Sequence, residues 1–189
     1  MEYDPSLTIA EDPEVYPPSE DSILLIESLD IGKGEKVLEV GCGSGVVSIH
    51  CAANGAEVVS VDINPKAVDL ARRNFEANGL PHDVRESDVY SAVDGRFDTI
   101  IFNLPYLPVQ DEGMLAKAWS GGEDGMGPLP GLLEGAPDHL LPNGRVVVVV
   151  SSLMDQERLS SVLSEYSVKE LGSVRIFFEL CRGDRRRLP

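Results

Sequence analysis

Short β-branched runs alternate along this chain with longer segments whose apolar positions recur at helical period. That pattern predicts strands at residues 36–41, 57–62, a short polar 83–87, and 97–102. Helices are expected from Ser19 through about Leu29, and at 45–54 and 65–78. After a long break the pattern resumes with helix 129–141, strand 145–151, helix 154–165 and two terminal strands, 167–173 and 175–182. Ser19 suits an N-cap, and Glu20 and Asp21 follow in the first turn, where acids complement the helix dipole. Strands alternating with helices imply a parallel sheet covered on both faces. Ligands of such sheets sit beyond the carboxyl ends of the strands.

Composition narrows the classes. At 189 residues the chain is long enough for one well-cored domain, 1–189, and no Pro/Ser-rich linker divides it. The apolar stretch Val146 to Val150 is far too short to span a bilayer, and no charged start with an apolar core marks a signal peptide. Cys42, Cys51 and Cys181 are scattered, which argues for a reducing, cytoplasmic setting and against a disulfide framework. His50, His82 and His139 have no ligand spacing, so no metal is expected. The net charge of −16 arises from 32 acids against 16 bases, 5 of them Lys and 11 Arg. Such a chain repels free nucleic acid. Acidic, lysine-poor surfaces are also what salt-saturated cytoplasm favours. On that account thermal stability is expected to rise as KCl goes from about 0.1 M to molar levels.

Chemistry concentrates at the expected strand ends. Lys36–Val40 feeds Gly41-Cys42-Gly43-Ser44-Gly45, and a helical pattern starts at Val46. A strand, a glycine turn and a helix N-terminus let a nucleotide approach the backbone. The spacing is G-x-G-x-G, not that of the dinucleotide fingerprint. The next strand ends at Asp62, 21 residues after Gly41, where an acid can accept both hydroxyls of a ribose. Ser87-Asp88-Val89 ends the third strand, with Asp88 placed to reach an adenine amine. Taken singly, either acid is as well explained as a helix cap or a solvated turn. Asn103-Leu104-Pro105-Tyr106 follows the run 97–102. An Asn oxygen and a neighbouring carbonyl can accept both hydrogens of a planar NH2 group while an aromatic ring covers its face. Such fixed acceptors stabilise a nitrogen that gains positive charge.

These segments resemble a known family. Glu39-Val40-Gly41-Cys42-Gly43-Ser44-Gly45, Asp62-Ile63-Asn64 and Asn103-Leu104-Pro105-Tyr106 look like the class I S-adenosylmethionine-dependent methyltransferases with an N-P-P-Y-type motif. Val15-Tyr16-Pro17-Pro18-Ser19-Glu20-Asp21-Ser22 resembles the HemK-type release-factor glutamine methyltransferases, in their short archaeal and eukaryotic branch. The resemblance implies a Rossmann-like α/β fold with a seven-stranded, mostly parallel sheet of order 3-2-1-4-5-7-6. It implies S-adenosylmethionine as cofactor, held by Tyr16, Pro18, Glu20, Asp21, Ser22, Glu39, Gly41, Gly43, Gly45, Asp62, Ile63, Asp88, Val89 and Asn103. The catalytic set is then Asn103, Leu104, Pro105 and Tyr106, and the substrate is glutamine N5 in the Gly-Gly-Gln motif of a class 1 release factor. The family usually has proline where this chain has Leu104. The acting group there is the backbone carbonyl, and Pro105 still biases Leu104 toward an extended conformation.

Several alternatives stand beside this reading. Related motifs methylate adenine N6 in DNA or RNA, which requires a basic groove and a flipped base. A non-catalytic cofactor-binding scaffold is the third possibility. Tyr16 either closes over the cofactor or packs as an ordinary aromatic. Residues 107–127, with the single Trp119 and Gly121-Gly122, are expected to form a substrate lid whose glycines permit closure. Bacterial relatives carry an added N-terminal domain, so the short branch implies a small zinc-binding activator protein as partner. The edge strand near 83–87 is its expected docking place, unless the charges there keep that edge unpaired.

Overall fold

The computed structural model describes residues 1–174. Within them, strands β1 (Lys36–Val40), β2 (Glu57–Asp62), β3 (Val84–Glu86), β4 (Phe97–Phe102) and β5 (Leu140–Val148) form one sheet of order β3-β2-β1-β4-β5. Every pairing is parallel. The helices are α1 (Glu20–Ser28), α2 (Val46–Ala53), α3 (Pro65–Ala77), α4 (Leu129–His139) and α5 (Gln156–Leu163).

Period-two alternation sorts the core into two faces. Leu38, Val40, Ile100 and Phe102 point to the side covered by α4 and α5, where Leu129, Leu132, Leu133 and Leu159 meet them. Val37, Ile101 and Val147 point the other way, against Leu25, Ile26 and Leu29 of α1 and Val46, Val47 and Cys51 of α2. Glu39 shares the second face with Val37, and this puts a carboxyl group beneath α2.

The sheet departs from expectation at its far end. Five strands form among the described residues where seven were expected. Residues 167–173 make no strand, and Val168 and Leu171 are exposed there. Residues 175–182 lie outside the described residues. β5 starts earlier than the pattern suggests, because Leu140 pairs with Phe97 directly after α4. The register then shifts over a turn in which Asn143 takes φ +67°, and Arg145 pairs with Thr99. Within α4, Pro137 lacks the N–H that the carbonyl of Leu133 requires. The Tyr166 hydroxyl donates to that carbonyl instead, at 2.9 Å.

An N-terminal arm crosses α2 and α3 before α1 begins. Its backbone is pinned by side chains: Asn78 exchanges hydrogen bonds with Thr8, and Asn74 with Ala10. The Asn64 amide donates to Glu14 O at 2.9 Å. These ties lead residues 15–22 to the carboxyl ends of β1 and β4.

Candidate active site

A cavity of about 650 Å³ opens at the carboxyl ends of β1, β2 and β4. Tyr16, Pro18, Glu20, Asp21, Ser22, Glu39, Gly41, Gly43, Asp62, Ile63, Asp88, Val89 and Asn103 through Tyr106 all line it. Among the residues expected there, Gly45 is the exception. It sits at the N-cap of α2 with φ +81°, and a Cβ would press to 3.2 Å from the Cβ of Ala71. Gly45 therefore lets α2 approach α3.

The glycine turn is fixed from below. Asp62 Oδ2 accepts the Gly43 N–H and Oδ1 the Asn64 N–H, both at 2.8 Å. Gly41 (φ +66°) and Gly43 (φ +54°) hold left-handed conformations. Burial pushes the Asp62 carboxyl up, against the opposing effect of the N–H groups of Asn64, Gly43 and Ile63. A carboxylate has about four acceptor positions, so the contacts from Gly43 and Asn64 leave it room to accept from a ligand. Beside it, Ser87 Oγ donates to Val89 O at 3.0 Å and accepts the Ala92 N–H at 3.0 Å. This turn forces Val89 to φ +47° and leaves Asp88 exposed at the rim.

The Asn103–Tyr106 segment is held differently from a free turn. The Leu104 side chain is buried in the core on the α4 face, and the residue also lines the cavity. Pro105 is buried and Tyr106 half-buried. Asn103 Oδ1 is withdrawn from solvent and meets no donor among the described residues.

Residues 107–127 are folded rather than irregular. Leu107 bridges Ser120 in parallel, and a 3₁₀ turn spans Leu115–Ala118. Met114, Leu115, Lys117, Trp119 and Ser120 line the cavity, and the Trp119 ring lies 6.3 Å from that of Tyr16, tilted by 50°. Two glycines of this loop lie in close packing. A Cβ on Gly125 would lie 2.7 Å from Tyr106 O, and one on Gly127 2.9 Å from Pro105 O. They admit the loop backbone against the Asn103–Tyr106 segment, a packing role that spacing alone does not reveal. The Gly43 tie to Asp62 was likewise missed, since nothing local signals a contact between a turn and the next strand end.

Residues 7–174 match the family model of the methyltransferase small domain. The chain belongs to that family. It is 41% identical over 169 residues to a proposed protein N5-glutamine methyltransferase of Methanocaldococcus jannaschii, covering 87% of this chain and 86% of the relative. A release factor glutamine methyltransferase of Xylella fastidiosa is 38% identical over 135 residues, 65% of this chain and 49% of its own length. Ribosomal RNA small subunit methyltransferase C of Chromohalobacter salexigens is 34% identical over 136 residues, 71% of this chain and 37% of the relative. The chain thus spans less than half the length of these last two. Among solved structures, a 16S rRNA N2 G1207 methyltransferase of T. thermophilus superposes with a TM-score of 0.66 at 24% identity, over 84% of this chain and 41% of that one. That likeness shows a Rossmann-like class I methyltransferase fold.

The methyltransferase carries a buried acid behind its glycine turn. Glu39 Oε2 accepts the backbone N–H of Ser48 at 2.9 Å and also its hydroxyl, and Ser60 Oγ donates to Ser48 Oγ at 2.7 Å. Burial pushes the Glu39 carboxyl up to about 8, with Asp62 adding repulsion and Ser48 opposing. The folded chain then keeps a proton that the unfolded chain releases. Stability should fall as pH rises from about 4.5 to about 8 and level off above. Glu39→Gln, which is neutral throughout, is expected to remove that part of the slope. Urea unfolding of both proteins across that range checks it, and parallel curves for the two would refute the assignment.

Proposed function

We propose that this chain transfers a methyl group from S-adenosylmethionine to N5 of the glutamine in the Gly-Gly-Gln motif of a class 1 translation release factor. The observation that carries the reading is the buried, donorless Oδ1 of Asn103, on the same cavity wall as the Asp62-pinned glycine turn. An unsatisfied buried acceptor costs about 1–3 kcal/mol, and a ligand N–H offsets that cost.

The residues present fit the cofactor. The open acceptor positions of Asp62 suit ribose hydroxyls, the left-handed Gly41 and Gly43 put no side chain at those two positions of the turn, and Asp88 at the rim suits an adenine amine. Bound S-adenosylmethionine supplies an electrophilic methyl group on a sulfonium. The protein's part is to make an amide nitrogen a competent acceptor. Asn103 Oδ1 and the carbonyl of Leu104 accept its two hydrogens, which draws the lone pair out of conjugation and stabilises positive charge on nitrogen. The Tyr106 ring covers one face of the amide. Holding both partners together supplies the remainder by orientation. Transfer would leave the thioether S-adenosylhomocysteine and an N-protonated methyl amide cation, which is acidic enough to lose its proton to water.

Adenine N6 in nucleic acid is the second reading; the similarity to ribosomal RNA methyltransferases supports a nucleic-acid substrate without pointing to adenine. Charge at the cavity weighs against it. Glu20, Asp21 and Asp88 line the cavity, and Lys117 is the one basic residue that does so among the described residues. A labelled-cofactor assay separates the readings. Label is expected on the host's release factor, absent when the Gly-Gly-Gln glutamine is replaced by alanine, and absent from duplex DNA.

We also infer a small zinc-binding activator as partner, seated on the outer edge of β3, where pairing among the described residues occurs on one side only. Arg85 lies there in a two-point pair with Asp83, both contacts at 2.7 Å. A polar edge that retains free backbone groups supports sheet extension by a partner. Co-expression with such a protein is expected to give a 1:1 complex on sizing chromatography. A fully active monomer that ignores it would end this part of the proposal.

A further inference from the structure

Asp21 lines the cavity and also holds a residue of the Asn103–Tyr106 segment. It is buried in the first turn of α1. Its Oδ1 accepts the Ser22 N–H at 2.6 Å, the Ser22 hydroxyl at 3.3 Å and the Ser19 hydroxyl at 2.5 Å. Its Oδ2 accepts the Tyr106 hydroxyl at 3.1 Å, across 85 positions of sequence. Among the described residues this is the one hydrogen bond between residues 15–22 and the Asn103–Tyr106 segment. The phenol is a dependable donor, because burial, and then the Asp21 charge, hold its pKa well above the usual range.

A tyrosine ring turns about two bonds, and a hydroxyl fixed at its far end removes that freedom. Tyr106 and Asn103 line the same cavity, so the direction of the ring decides whether a flat amide fits beside Asn103 Oδ1. We propose that Asp21 is a positioning residue that ties Tyr106 to the N-terminus of α1, so that ordering the arm on the cofactor side also sets the wall of the amide slot. This rests on the function proposed above, and it predicts that cofactor and peptide bind with positive coupling. The tie makes one device of two segments that sequence analysis treats as separate sites.

The test uses Tyr106→Phe, which removes only the hydroxyl, together with Asp21→Asn and the double variant. In the S-adenosylhomocysteine complex, hydrogen exchange at the Ser22 and Ile23 amides is expected to be several-fold faster in Tyr106→Phe, a readout that involves no substrate. The KM for a Gly-Gly-Gln peptide is expected to rise about 10-fold in each single variant, and no further in the double. Tyr106→Phe leaves the cap of α1 intact, so loss of folding in Asp21→Asn does not remove the test. Unchanged exchange in Tyr106→Phe, or a roughly 100-fold effect in the double variant, overturns the tie. Faster exchange in a chain that does not bind the peptide upholds the tie and removes the release-factor reading.

Discussion

Alanine in place of Asn103 is expected to slow methyl transfer by about 10²- to 10³-fold, the loss seen when one fixed dipole is taken from a developing charge. Affinity for S-adenosylmethionine should change little, because the ribose and the glycine turn are served by Asp62. The same substitution should leave the melting temperature unchanged or raise it. Asn103 Oδ1 is a buried acceptor without a donor among the described residues, so deleting it removes a desolvation cost. Opposite movement of activity and stability separates a functional residue from a structural one. Transfer at the parent rate, measured with labelled cofactor on the release factor, would remove Asn103 from the mechanism.

Much of this site was legible because its signals are local. A β-rich run followed by Gly41-Cys42-Gly43-Ser44-Gly45 specifies a turn that needs positive φ, and the structure puts Gly41, Gly43 and Gly45 in that conformation. Strand ends fall where period-two patterns stop, so Asp62, Asp88 and Asn103 converge once the strands are parallel. Contacts made through space were not legible. Asp21 read as an acid favoured by the helix dipole, yet its carboxylate also holds a phenol that follows 85 positions later. Gly121-Gly122 read as a pair that permits closure, whereas the close packing of Gly125 and Gly127 against Tyr106 and Pro105 gave no local signal. Periodicity reports which face of a segment is apolar. It does not report whether a neighbouring strand is in reach, and residues 167–173 accordingly form none. The early start of β5 has the same origin, since pairing with Phe97 recruits Leu140 before the apolar run begins.

The local and the non-local parts meet at Asp62, where the second large effect is expected. Asp62→Ala should weaken S-adenosylmethionine binding by about 100-fold or more, through two separate losses. The ribose hydroxyls lose their charged acceptor, and a hydrogen bond to a charged group is worth roughly 1.5–3 kcal/mol. The Gly43 and Asn64 N–H groups also lose the oxygens they meet at 2.8 Å, so the turn itself is released. Asp62→Asn divides these contributions. It keeps one oxygen for a backbone N–H, while its NH2 opposes the other backbone N–H as well as a hydroxyl hydrogen. Its affinity should fall between those of the parent and the alanine variant, with the turn better preserved than in Asp62→Ala. Calorimetric titration gives the affinities, and amide exchange at Gly43 reports the turn. Parent-like affinity in Asp62→Ala would show that the ribose is held elsewhere. Parent-like exchange at Gly43 would show that the carboxylate does not hold the turn, and the 100-fold loss would then belong to the ligand contacts alone.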